Sequence, residues 1–313
     1  MTADPLFPES TAADLFRPNR GAAKWSELAV KSIFTLFALI SVATTIGIVL
    51  TLIFEAVEFF QDVPIWRFLT DTAWTPLFAN PQFGIIVLIS ATFLTSAIAI
   101  AVALPIGLLS AICLSEYASP KVRSWLKPSL EILAGVPTVV FGYFALLLVT
   151  PFLQKFIPGL QGFNALSGGL VLGVSIIPLV ASLSEDAIYA VPRSLREGAY
   201  ALGSTKREAI VGVVLPAALS GITASFILAI SRAVGETMIV TIAAGQNPRL
   251  TLNPFVPIET MTAYIVQVSL GDTPAGSLAY KTIFAVGMTL FLITLVLNIF
   301  SFWFVRRFRE KYE

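Results

Sequence analysis

Long apolar runs alternate with short polar segments along the chain, at a spacing that predicts membrane-spanning helices. Six runs, near residues 30–54, 84–113, 129–153, 165–184, 213–244 and 281–305, each supply the roughly 20 residues a helix needs to cross a bilayer. The pattern changes between residues 190 and 221, AVPRSLREGAYALGSTKREAIVGVVLPAALSG, which reads as a short helix, a break at Gly203 and a second helix. Pro192 and Ser194 suit a helix start, where a missing N–H is harmless and a hydroxyl can cap. Gly203 suits a left-handed cap that turns the chain before Lys206. Leu195, Ala199 and Leu202 fall on one face of the first helix, with Arg196 and Glu197 beside them. Such a face either docks into a groove on another protein or lies on lipid headgroups. The small Gly198 and Ala199 give poor lipid anchorage and favour docking.

The fifth run departs from its apolar pattern at AISRAVGET, residues 229–237, which carries Arg232 and Glu236. Gly221, Ser225, Ala229, Arg232, Ala233 and Glu236 recur at steps of three and four, which places them on one face of a continuous helix. Ionic side chains at such depth cost at least about 2.5 kcal/mol and face protein or water, never lipid.

Composition agrees with a membrane location. Of 313 residues, 56% are hydrophobic and 12% charged, against about 25% charged in a soluble domain. A net charge of +1 leaves no basic surplus for nucleic acid. The absence of His excludes Ser-His and Cys-His catalysis and His-ligated metals. The single Cys113 excludes an intrachain disulfide and a CxxC site, and is expected as a packing residue. The run GAYALGST, residues 198–205, nearly matches a phosphate-binding loop, but Ser204 stands where the lysine is required. The chain therefore carries no catalytic, metal, cofactor or nucleotide site of its own, and an intramembrane hydrolase lacks its parts.

Charge also orients the chain. Fifteen Lys and Arg residues fall on the side holding both termini and the 190–221 loop. Four (Arg67, Lys155, Arg249 and Lys281) fall on the other, and Arg232 lies within a span. Both termini are therefore expected in the cytoplasm. Residues 1–27 read as a loose cytoplasmic arm without a signal peptide, and residues 28–313 as one all-α membrane domain with a cytoplasmic loop at 185–212.

The loop contains Glu197-Gly198-Ala199, three residues, Gly203, nine residues, then Val213-Val214-Leu215-Pro216. This resembles the EAA loop of ABC-importer permeases, EAA-x3-G-x9-I-x-L-P, with Gly198 in place of Ala and Val213 in place of Ile. The stretches ILAGVPTVVFGYFAL (132–146), SIIPLVASLSEDAIYAVPRSLREGAYALG (175–203) and ILAISRAVGETMIVTIAAG (227–245) are similar to the phosphate-importer branch of PstC type. The likeness runs from the first span onward. It implies the type I importer permease architecture, six helices with both ends inside, in a bacterial inner membrane. It also implies a homologous second permease of PstA type, a dimeric cytoplasmic ATPase that holds ATP and Mg, and an extracytoplasmic phosphate-binding protein. The docking set is then Glu197, Gly198, Ala199, Leu202, Gly203 and Lys206.

A divalent oxyanion cannot enter low dielectric without fixed positive charge along its path. Arg232 meets that need, because its planar fork matches two oxygens of a tetrahedral anion and stays charged. Ser231, Thr237 and Thr241 offer hydroxyl donors nearby. Glu236 either neutralises Arg232 in the empty pathway or accepts the acidic OH of hydrogenphosphate. The rival account is an interhelical clamp without solute contact. Sulfate, molybdate or an organic phosphate is an alternative solute, and a channel or secondary transporter without ATPase is an alternative class.

Glu131 is expected at the start of the third helix, offsetting its dipole, with Gly135, Pro137 and Thr138 kinking the helix beyond it. Gly168, Gly169 and Gly173 are expected to permit close helix packing. Externally, residues 62–76 carry Trp66 and Trp74, and residues 258–270 have the pattern of a short amphipathic helix. These segments either anchor at the interface or meet a soluble binding protein, and neither has a large basic patch.

Overall fold

A computed structural model describes the backbone of residues 20–308; within 20–26 and 305–308, side chains are described only at Trp25 and Arg307. The arm expected at 1–27 lies outside the described residues up to position 19. The chain divides into residues 1–54 and 55–313. The part of helix α1 (Arg20–Asp62) that lies in the first unit exposes Phe34, Leu36, Phe37, Leu39 and Ile40 around its circumference, the surface of a helix solvated by hydrocarbon.

The second unit is built on α3 (Ile86–Ile112) and α7 (Ala165–Tyr189), which lie against each other along their lengths. Small residues permit this. A Cβ on Gly169 would stand 2.7 Å from Ile98 Cβ, and one on Gly173 2.7 Å from Ala99 O. The expected packing role holds for Gly169 and Gly173, whereas a Cβ on Gly168 would stand 3.4 Å from Ala244 Cβ, an ordinary contact. Ala91, Ala99, Ala103, Leu172, Ile176 and Val180 fill the seam and are fully or nearly fully buried. Five helices of the described residues are long and apolar enough to span a membrane, and there are six if a pair bent at a short break is counted as one span. Apart from one isolated bridge, Trp74 to Phe83, the described residues form no β structure.

The expected third span, 129–153, is not straight. It is the pair α4 (Pro120–Ala134) and α5–α6 (Thr138–Phe144, Thr150–Gln154, joined by a π turn at Ala145–Val149), bent by 87°. Pro137 has no N–H to continue the ladder and biases Val136 away from helical backbone. Glu131 therefore sits in the last turn of α4 rather than at a helix start, and the dipole account of it fails, because a helix C-terminus repels an anion.

The two segments expected to be external are partly buried in the fold. α2 (Ile65–Thr70) leaves Trp66 71% exposed, but Trp74 is 1% exposed and stacks edge-to-face on Phe68 and Tyr264. The segment 258–270 forms α12 (Met261–Leu270), whose Met261, Thr262, Ala263, Tyr264 and Val268 are buried. Interfacial anchoring thus fits Trp66 and not Trp74. Cys113, expected to be packed, is exposed in a π turn at Cys113–Tyr117.

Candidate functional site

Two regions hold the residues singled out by the sequence. The first is a break in the fifth span. A short helix α9 (Lys206–Ala209) and a π turn (Ile210–Val214) lead into α10 (Leu215–Val234), but α10 ends at Gly235, and α11 (Met238–Ala243) restarts after Thr237. The continuous helix expected over 213–244 is interrupted, so the stripe of small and charged residues does not extend past Val234. Arg232 lies in the last turn of α10, where a cation is stabilised by the negative end of the helix. Its side chain is exposed and takes part in no hydrogen bond or ion pair among the described residues.

Glu236 is 9% exposed and does not pair with Arg232. Its Oε1 accepts a hydrogen bond from the Ile239 N–H at 3.3 Å, in the opening turn of α11, and Thr262 Oγ1 donates to its backbone carbonyl at 2.7 Å. The sequence expectation of a resting Arg232–Glu236 pair required one helix face, and the break removes that face. Ser231 Oγ is buried without a hydrogen-bond partner. Thr237 Oγ1 turns back to Gly235 O at 3.4 Å, and Thr241 Oγ1 donates to Thr237 O at 2.6 Å. A cavity of about 480 Å³, lined by Tyr143, Thr241, Gln246 and Asn247, adjoins the far end of α11 and carries no charged group. The break thus presents one unpaired guanidinium and one free hydroxyl, with a carboxylate held close by in sequence.

Glu259, two residues before α12, is 1% exposed, and its Oε1 has no partner. Burial pushes its carboxyl up to about 8, so it carries a proton at neutral pH. Thr92 Oγ1 accepts from Met261 N at 3.1 Å, pinning this segment to α3. Sequence reading did not single out Glu259; an acid in an otherwise uncharged segment, IETMTAYIVQV, was the available signal.

The second region is the loop expected in the cytoplasm. α8 (Arg193–Ala201) begins at Pro192 without a side-chain cap, so Ser194 does not play the role expected of it. Gly203 adopts φ +84°, as its position after the helix predicted. The expected apolar face divides: Ala199 is buried and Leu195 packs against the buried cluster that contains Ile188, Val191 and Val214, but Leu202 is 89% exposed. Glu197 and Gly198 are exposed beside it, and Lys206 lies over the Tyr117 ring, 4.5 Å from its centre. Thr205 and Glu208 form a capping box at the start of α9, and the Thr205 hydroxyl holds the Glu208 carboxyl below its usual range.

Behind this surface lies a set of ion pairs that sequence reading missed. Glu185, fully buried near the C-terminal end of α7, pairs with Arg123 and with Lys127, the latter at 2.8 Å; Lys127 also reaches Asp186 at 2.7 Å. Arg123 and Lys127 stand four residues apart, one helical turn, which is the signal that could have marked this face. No cluster of metal-ligating side chains occurs among the described residues.

Comparison with known proteins adds to this geometry. Residues 103–311 match the family model described as binding-protein-dependent transport system inner membrane component. The probable ABC transporter permease protein YqgH of Bacillus subtilis is 33% identical over 86% of this chain and 87% of its own length. The phosphate transport system permease protein PstC of Mesorhizobium japonicum is 34% identical over 77% of this chain and 79% of its own. The PstC of Haemophilus influenzae is 31% identical over 88% and 92%. Among solved structures, an inward-facing methionine ABC transporter, MetNI, superposes with a TM-score of 0.53 at 18% identity, covering 72% of this chain and 95% of that one. That likeness concerns the fold.

Proposed function

Because this chain belongs to the family of binding-protein-dependent transport system inner membrane components, we propose that it forms half of the membrane pathway of an ATP-driven importer for inorganic phosphate. Arg232 carries the reading: an unpaired guanidinium at a helix break inside an apolar span. Broken helices at membrane depth are tolerated where they line a cavity or pack against protein, and they recur at solute sites. The guanidinium fork binds two oxygens of the anion, and Ser231 Oγ is free to donate a third hydrogen bond. Glu236 Oε1 is engaged with Ile239 N–H; its other oxygen accepts the acidic OH of hydrogenphosphate, which sulfate dianion lacks. Relatives called phosphate transport permeases, 31–34% identical over most of this chain, favour phosphate over other oxyanions.

A homologous permease supplies the other half of the path, and an extracytoplasmic binding protein delivers the solute. A separate dimeric ATPase, holding ATP and Mg, docks on the exposed Glu197, Gly198, Leu202 and Lys206. The excess of basic residues, 15 against 4, supports a cytoplasmic location for that loop and both termini. This chain breaks no bond in the solute.

The test is uptake into vesicles holding the complete complex, with labelled phosphate or sulfate, with and without ATP. Phosphate is expected to accumulate only with ATP. Accumulation of sulfate alone would overturn the solute, and ATP-independent uptake would overturn the importer class.

A further inference from the structure

Arg196 stands next to Glu197 on the docking helix but faces the other way, and it is 15% exposed. All three of its guanidinium nitrogens are engaged. Nε and Nη2 donate to Glu116 Oε1 at 3.2 and 3.1 Å. Nη1 donates to Val191 O at 2.6 Å, and Nη2 also to Ile188 O at 2.8 Å. Ile188 lies in the last turn of α7 and Val191 two residues past its end; Pro192, four residues after Ile188, offers no N–H to complete the ladder. A cation here also meets the negative end of α7. Glu116 belongs to the π turn that closes α3. One side chain therefore joins three elements: the docking helix α8 and the inner ends of α3 and α7.

From α7 the connection continues. Ser184 and Ser225, both buried, share a hydrogen bond of 2.8 Å between α7 and α10. Arg232 follows Ser225 by two turns on the same face of α10, about 10 Å along the axis. Polar bonds thus run from beneath the docking surface to the helix that ends at the break.

We propose that Arg196 is the positioning residue through which movement of the docked ATPase reaches α7 and α10, and so the solute-handling break. The inference rests on the docking role given above to α8. Arg196 does not form the docking surface; it makes α8, α3 and α7 move as one body. The requirement is geometric. A lysine keeps the charge but offers one nitrogen in place of a planar fork, so it cannot hold Glu116 and both carbonyls together.

The complete complex in vesicles gives the test, with phosphate uptake and ATP hydrolysis measured on the same preparation. In Arg196→Lys the ATPase subunit is expected to co-purify at its wild-type ratio and to hydrolyse ATP, while phosphate delivered per ATP falls about tenfold. Glu116→Gln, which keeps both carbonyl contacts, is expected to lower the same ratio about threefold. An unchanged ratio in both variants, with normal wild-type uptake, overturns this inference alone. Loss of the ATPase subunit from Arg196→Lys also overturns it, since Arg196 would then belong to docking. Absence of phosphate uptake by the wild-type complex overturns the functional reading and this inference with it.

Discussion

Near the C-terminal end of α7, Arg123, Lys127 and Arg196 are each held by carboxylates or carbonyls, whereas Arg232, at the break in the fifth span, has no hydrogen-bond or ion-pair partner among the described residues. The paired cations can be exchanged only with loss of local structure, because each fixes the end of a helix. The unpaired one fixes nothing visible and is available to a solute or a second subunit. Exposure differs in the same sense as role: Arg196 is mostly covered, while Arg232 is open. Charge satisfied within the chain is charge used for shape, and charge left over marks where the protein meets something else.

Glu185→Gln should have the largest effect on shape. It leaves Arg123 and Lys127 facing a neutral amide in a fully buried position. Removing one partner of a buried pair costs about 3–5 kcal/mol, and partial exposure of both cations reduces that to about 2 kcal/mol here. Thermal unfolding of the purified complex would report it. An unchanged midpoint would mean that the cluster does not shape the inner end of α7.

Glu259→Gln should act only over part of the pH range. Glu259 keeps its proton in the fold up to about 8, against an ordinary value of 4.5. Between those values the folded chain binds a proton that the unfolded chain has lost. Stability therefore falls as pH rises through that window and levels off above it. The amide cannot titrate, so the variant should show a flatter dependence of unfolding temperature on pH and gain most near pH 8. Parallel curves for the two proteins would show that Glu259 is not held neutral.

Thr205→Ala removes the cap of α9 and is the mildest of the three, at about 1 kcal/mol. Because Thr205 adjoins the docking surface but not the break, phosphate uptake per ATP should be unchanged. A fall in that ratio would blur the distinction between the two regions.

The spans were legible because apolar length is a local property of the chain, and the left-handed Gly203 was legible because its place after a helix requires that backbone. The break at Gly235 was not. The run AISRAVGETMIV is compatible with a continuous helix, and the Thr262 hydroxyl bonded to Glu236 O comes from 26 residues away. Trp74 was misplaced for a similar reason, since its burial depends on Tyr264, far along the chain. The Arg196–Glu116 contact spans 80 residues. Of the candidate site, the residue types were readable in the sequence, but which charges were paired and which were free depended on long-range packing.

The most direct measurement is ATP-driven phosphate uptake by the complete complex carrying Arg232→Ala, with subunit composition and thermal stability checked on the same sample. The unpaired guanidinium should be dispensable for assembly and indispensable for passage, so uptake is expected to vanish while the complex remains intact, with Arg232→Lys recovering only part of it. Wild-type uptake by an intact Arg232→Ala complex would contradict the assignment of the break as the place where this chain handles its solute.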